Sequence, residues 1–367
     1  MALQEKISTV VGTWVNKLEP DFLYADFLQN PPIGFEALLS PNGLPTFAAN
    51  FDLMTTMDDE DRKRLTSLPF YRIWSRFLRF KTLFVGTTVS EFTPLPNALN
   101  GQDTARYLKE KSKEGYSLVI VKDLPQHSPL LPDSDTQKTA EFLDALQKNG
   151  FITVEGQALA YVPITHTSID DYLANFSKNR RKDFRRKLRS LDNLAIDVLE
   201  SGDPLFHDED TLEYFYKLYI QVFNQSEIKF DHLSKDFFRD LLQTDDKNLR
   251  VMLYRDKSGS IIGYNICFIV DDMLVDKYIG LNYPDATNNN LYFISWFYNL
   301  EYARKHGLKY YIAGWTDPKI KAYLGAKFVY TRHAVFIKNP VLRWILKRFQ
   351  HHFESDAHLQ LQGGENQ

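Results

Sequence analysis

Apolar residues in the second half of the chain recur first at every other position and then at helical spacing. Leu249–Tyr254 and Ile261–Val270 read as two strands joined at the turn Asp256-Lys257-Ser258-Gly259, a hairpin signal. Met273–Leu281 reads as a third strand. Asn290–His306 switches to period 3.6, with Leu291, Ile294, Tyr298 and Tyr302 on one stripe, and Gly307 is its stop. A strand Leu308–Ala313, a helix Pro318–Leu324 opened by its proline and a last strand Lys327–Ile337 complete the series.

The first half repeats that order. Gly34–Leu39 and Pro45–Leu53 flank the turn Pro41-Asn42-Gly43, Thr82–Thr88 is a third strand and Thr104–Lys113 a helix. Gly115 precedes the strand Tyr116–Val121 as Gly307 precedes Leu308. Asp135–Lys148 is a helix stopped at Gly150, and Phe151–Pro163 is a strand, so Gly150 corresponds to Gly325. A repeated order of elements predicts an α+β protein built from one unit used twice. The expected boundaries are 1–166 for the first unit, 167–353 for the second and 354–367 for a polar, disordered tail.

Composition narrows the classes. A chain of 367 residues suits two domains, and 44% hydrophobic residues suffice for two cores. A formal charge of −3 argues against general nucleic-acid binding, so any basic surface is local. The single cysteine, Cys267, lies in the apolar run IIGYNICFIV and reads as a core residue. No apolar run approaches 18 residues and the first residues lack a signal-peptide layout, which points to a cytoplasmic protein. Neither a metal spacing among the nine histidines nor a P-loop, a G-x-S-x-G or a G-x-G-x-x-G is present.

Two features carry chemistry. Thr167–Leu191 opens with a capping-box-like Ser168 and Asp171, carries Phe184, Leu188 and Leu191 on one stripe, and has eight Lys or Arg between Lys178 and Arg189. Like charges at this density repel unless an anion faces them. Arg181 and Arg185 share a face and suit one phosphate group; the competing reading is a solvated helix face. Asp276 and Lys277 are adjacent charges in an interior strand, so one of them meets a packed face, where a charge needs a partner or a function. Asp276 is the candidate proton acceptor, with Tyr278 two residues on and expected on the same side. Tyr283 and Trp315 are candidate walls of a substrate groove, against the alternative that such aromatics, Tyr310 and Tyr311 included, belong to the core.

Three motifs give these residues a family. The segment SKNRRKDFRRKLRSL, the pair KYIGLNY and NLYF, and the run Gly314 to Ala326, GWTDPKIKAYLGA, resemble the FemAB-like acyltransferases, a superfamily of GNAT-like fold that includes peptidoglycan-bridge aminoacyltransferases. The resemblance covers residues 167 to about 338 and is looser before them. It implies tandem GNAT-like units and transfer of an acyl or aminoacyl group to an amine. Lys321 and Gly325 fall on the family's lysine and glycine. It implies donor binding by Arg181, Arg185, Lys321, Asn289 and Asn290, with acyl-CoA or aminoacyl-tRNA as co-substrate and no metal. The acceptor would be an amine-bearing small molecule or a cell-wall precursor, with tRNA a further partner. One departure stands out: the loop Tyr283–Asn290 lacks the Gln/Arg-x-x-Gly-x-Gly/Ala pattern with which GNAT enzymes hold coenzyme A. The rival reading is therefore a non-catalytic protein of degenerate GNAT-like fold that docks an anionic partner. Pro340–Phe353 reads as a basic amphipathic helix that either packs on its domain or lies on a membrane surface.

Overall fold

The computed structural model describes residues 10–52, 66, 67, 79–226 and 229–344. Counting strands of four residues or more, the order is α1 Asp21–Gln29, β1 Glu36–Leu39, β2 Pro45–Asp52, β3 Arg79–Val85, α2 Gly101–Lys111, β4 Leu118–Pro125, α3 Asp133–Lys148 and β5 Ile152–Pro163. It continues with α4 Ile169–Ala174, α5 Lys178–Leu188, β6 Ala195–Glu200, α6 Glu209–Gln225, α7 Lys235–Gln243, β7 Leu249–Arg255, β8 Ile261–Val270 and β9 Met273–Leu281. Last come α8 Asp285–Asn288, α9 Leu291–Lys305, β10 Tyr310–Gly314, α10 Pro318–Tyr323 and β11 Lys327–Ile337.

The strands fall into the same ladder twice. In the first unit β1-β2 and β2-β3 are antiparallel, β3-β4 is parallel over Thr82–Val85 and Leu118–Val121, and β4-β11 is antiparallel. In the second unit β7-β8 and β8-β9 are antiparallel, β9-β10 is parallel over Met273–Val275 and Tyr310–Ile312, and β10-β5 is antiparallel. These are tandem GNAT-like units, mixed sheets flanked by helices. The paired glycines hold equivalent left-handed turns, with φ of 104° at Gly115 and 67° at Gly307, and of 92° at Gly150 and 97° at Gly325.

The ladders also correct the expected boundaries. The last strands are exchanged: β11 pairs with β4 of the first unit, and the end of β5 pairs with β10 of the second. One unit accordingly takes the chain up to Ala158, a segment ending at Leu233 and the chain from Val329 on, and the other takes Leu159–Ser226 and Ser234–Phe328. Alternation shows that a segment is a strand but not which neighbour it joins, so chain order does not fix spatial order. The expected tail 354–367 lies outside the described residues.

Residues 192–248, for which the pattern assigned nothing, supply β6, α6 and α7. Each helix is started by a side-chain cap, Asp208 accepting from Thr211 N–H and Ser234 from Phe237 N–H. They cover one face of the second sheet. Tyr264 of β8 stacks on Phe215 at 4.5 Å, and Tyr278 of β9 meets Phe237 and Phe238 at 5.9 and 5.7 Å. The core under α9 is built from Met252, Cys267, Leu274, Leu291, Ile294 and Leu300, all buried. Among the described residues no helix is long and apolar enough to cross a membrane.

Candidate active site

Strands β9 and β10 part immediately before the candidate acid. Their last register pair is Val275 with Ile312, and Asp276 is the next residue. A bulge falls at the same point, since Ile266 pairs with Tyr278 and Cys267 with Asp276, leaving Lys277 without an opposite residue. The extra residue breaks the alternation. Asp276 shares a face with Asn265 and Cys267, while Tyr278 turns to the face covered by α7. Tyr278 is thus not beside Asp276, because a spacing of two keeps a face only in an unbulged strand.

The Asp276 carboxylate is gripped from three elements. Asn265 Nδ2 donates to its two oxygens at 2.9 and 3.1 Å, Asn299 Nδ2 of α9 at 3.0 Å and Tyr311 Oη of β10 at 2.8 Å, with Cys267 Sγ at 3.7 Å. Burial pushes this carboxyl above its usual range; the hydrogen bonds and the charge of Lys321 oppose that push. Burial likewise raises the Tyr311 hydroxyl and the Cys267 thiol. Asn265 and Asn299 were not singled out from sequence, although each is a lone amide inside an apolar run, which was the available signal.

Lys321 joins Asp276 from α10. Its residue is only 4% exposed, unusual for a lysine. A Cβ on Gly314 would lie 3.8 Å from Lys321 Nζ and 4.0 Å from the Asp276 carbonyl oxygen, so the ammonium runs under a glycine at φ 76°. Gly325 ends the same helix at a crowded point. A Cβ there would stand 2.5 Å from Tyr172 Oη and 2.6 Å from Phe176 Cζ, and Tyr172 Oη donates to Leu324 O at 2.6 Å. Gly325→Ala should therefore destabilise the protein by about 2–5 kcal/mol, the sum of a left-handed β-carbon penalty and overpacking. Urea unfolding of the variant measures this; an unchanged midpoint would show that the aromatic pair yields freely.

The basic helix α5 braces α10. Arg180, one of the eight cations of the cluster, donates to the carbonyls of Ala322 and Tyr323 and lies 4.5 and 4.8 Å from the rings of Phe176 and Tyr323. Its burial pulls the guanidinium pKa down. Asp183 accepts from Lys187, Arg186 and Tyr323 Oη, and these bonds, that of Lys187 foremost, hold its carboxyl at about 2. Arg181 donates to Phe176 O at 2.7 Å, and Arg185 to Asp170 at 3.2 Å. The two arginines expected to share a phosphate are thus engaged by separate groups on their own chain. Lys178, Lys182 and Arg189 are exposed and have no ion-pair partner among the described residues.

The expected loop before α9 is partly helical, as α8. Asn289 Nδ2 donates to Asp285 O and Asn290 Nδ2 to Ser190 Oγ, each at 3.0 Å, so both side chains are used locally. Asn290 adopts φ 53° and its carbonyl accepts from Phe293 and Ile294 N–H, which starts α9 without a side-chain cap. Tyr283 is half-buried, with its N–H on Gln221 Oε1 at 3.0 Å. Tyr292, absent from the sequence candidates, is half-buried; burial raises its hydroxyl, and the charges of Asp317 and Asp276 add to that. Trp315, half-buried, follows Gly314.

The corresponding point of the first unit is sewn shut. After the last pair, Val85 with Val121, comes Gly86, and Thr93 fills its side: a Cβ on Gly86 would stand 2.5 Å from Thr93 Oγ1. Thr93 donates through Oγ1 to Lys122 O and through N–H to Asp123 O, and Lys122 Nζ donates to Thr87 O at 2.7 Å. The third strand runs on into the acid Asp276 in the second unit and into Gly86 in the first.

Comparison with known proteins agrees with this fold. A model of the FemAB-like family, described as peptidoglycan biosynthesis/recognition, matches residues 132–365. Among solved structures, the C-terminal domain of a putative lysylphosphatidylglycerol synthetase from Agrobacterium fabrum is similar with a TM-score of 0.54 at 12% identity, covering 94% of this chain and 95% of that one. FemX is similar with a TM-score of 0.51 at 11% identity, covering 94% and 98%. The L-PGS of Bacillus licheniformis gives 0.51 at 12% identity over 90% and 97%. No curated protein sequence matches the chain.

Proposed function

Because the chain belongs to the FemAB-like family, we propose that it moves an acyl or aminoacyl group from an activated anionic donor to an amine by direct attack. The observation that carries this reading is the parting of β9 from β10 at Asp276 with Lys321 buried beside it. A donor carbonyl laid in that opening meets backbone N–H groups of strands that have parted from their partners. The acceptor nitrogen attacks the carbonyl carbon, the C–N bond forms, and the bond to the donor's sulfur or oxygen breaks. Asp276 takes the proton lost by nitrogen, and the Lys321 ammonium faces the negative charge that develops on the carbonyl oxygen. Tyr278, on the opposite face, takes no part. Tyr283, Tyr292 and Trp315 form the wall along which the acceptor lies. The amine belongs to a small molecule or a cell-wall precursor.

The donor is acyl-CoA or aminoacyl-tRNA, and a ligand screen separates them. At 100 times its Kd a true donor adds about 2.7 kcal/mol of stability, which a melting curve resolves. Acyl-CoA species, charged tRNA and uncharged tRNA are the arms; a chain that responds to none of them is not a transferase of this kind. If the donor is tRNA, Lys178, Lys182 and Arg189 neutralise its phosphates. Replacing all three with Ala should flatten the slope of log affinity against log salt by roughly 0.7–0.9 for each phosphate no longer neutralised. An unchanged slope would assign the basic face to bracing alone.

A further inference from the structure

The end of the described chain leaves its apolar side chains uncovered. Val341, Leu342 and Trp344 are 63%, 38% and 66% exposed, three large hydrophobic residues within four positions. The segment that carries them is pinned to its own unit. Asn339 Oδ1 accepts from Val341 and Leu342 N–H at 2.9 and 3.2 Å, a helix start of the usual kind. Arg343 turns back: its Nε donates to Ile337 O at 2.8 Å, its Nη2 to Lys338 O at 3.2 Å, and its guanidinium lies 4.3 Å from the Phe336 ring. The backbone is thus fixed while the apolar side chains face outward, so the expected packing of Pro340 onwards against its domain does not occur at these three residues.

Along the sequence here the charge has one sign. Lys338, Arg343, Lys347 and Arg348 fall between Lys338 and Phe353, and no Asp or Glu occurs there until Glu354, in a chain of net charge −3. Exposed aliphatic residues with tryptophan, in a stretch of sequence whose charges are all cationic, match the boundary between the headgroups and acyl chains of an anionic bilayer. A soluble acidic protein would satisfy the cations but would not need three bare apolar side chains and a tryptophan at one turn. We propose that residues 338–344 dock the protein peripherally on an anionic lipid surface, with Val341, Leu342 and Trp344 entering the headgroup layer.

Sedimentation of the full chain with vesicles tests this. Vesicles of phosphatidylcholine with phosphatidylglycerol should pull the protein down at low salt, and phosphatidylcholine alone should not. The double variant Val341→Ser, Trp344→Ser should lose at least tenfold in partitioning while its melting temperature is unchanged, because neither side chain is buried. Absence of binding to anionic vesicles, or equal binding by the double variant, overturns the proposal. Concentration-dependent self-association that the double variant abolishes, seen by ultracentrifugation without lipid, would also overturn it by assigning the patch to a second copy of the chain.

Discussion

Asp276→Asn should lower turnover by about 10²–10⁴-fold while leaving donor affinity nearly unchanged, since the amide keeps the shape of the carboxylate but cannot take a proton. The fold should survive with a cost. An asparagine offers one acceptor oxygen to the amides of Asn265 and Asn299 and the hydroxyl of Tyr311, and it adds a donor among donors. Leaving one buried group unsatisfied costs about 1–3 kcal/mol. Two pH signatures accompany the change. Burial raises the Asp276 carboxyl, so wild-type kcat should climb with pH through a midpoint above the ordinary aspartate value of about 3.9. The same raised carboxyl contributes stability that is complete below its unfolded pKa and is lost as pH rises through the folded one. The melting difference between wild type and variant should therefore shrink as pH rises. A variant that keeps full turnover would reduce Asp276 to a structural hub of the three elements it joins.

Lys321→Met should cost turnover about 10²–10³-fold, the range for removing one preorganised group facing a developing oxyanion. Stability should fall where Asp276 is ionised, because removing the ammonium leaves the buried carboxylate without its neighbouring cation. The informative readout is again the pH profile. Lys321 holds the Asp276 carboxyl down against burial. Without it, the midpoint of kcat should move to higher pH. Loss of turnover with an unmoved midpoint would place Lys321 on the donor's phosphates, away from Asp276, and a rise in donor Kd would then accompany it.

Local signals in this chain were legible to the degree that they obey a period. The hairpin turn at Asp256–Gly259, the paired glycine stops and the long α9 stripe all follow from spacing and from residues that tolerate only certain backbones. The cap at Ser168 is equally local, accepting from Asp171 N–H at 3.1 Å. Residues 192–248 were legible in principle, because α6 and α7 bury Phe215, Leu218, Phe237 and Leu241 at helical spacing behind side-chain caps. The bulge at Lys277 was not: nothing in DKYIGL marks an extra residue, which is defined only by the strand opposite. Nor was the true task of α5. Its charges suggested an anion, whereas the ring of Phe184 is buried and Arg180 is spent on the carbonyls that end α10.

By itself the sequence determined the order of elements that recurs in the two halves, the duplication, the α+β class and the two residues, Asp276 and Lys321, at the centre of the candidate site. Periodicity and glycine placement are properties of neighbouring residues, and a family motif lies on contiguous residues, so both survive in one dimension. Only the tertiary structure decided which unit each final strand joins, which side of the sheet Tyr278 faces and which residues grip Asp276. It also decided that the first unit's opening is closed by Thr93. These depend on pairing between residues far apart in the chain. Such pairing is chosen by the free energy of the whole assembled sheet, not by any segment's own preference.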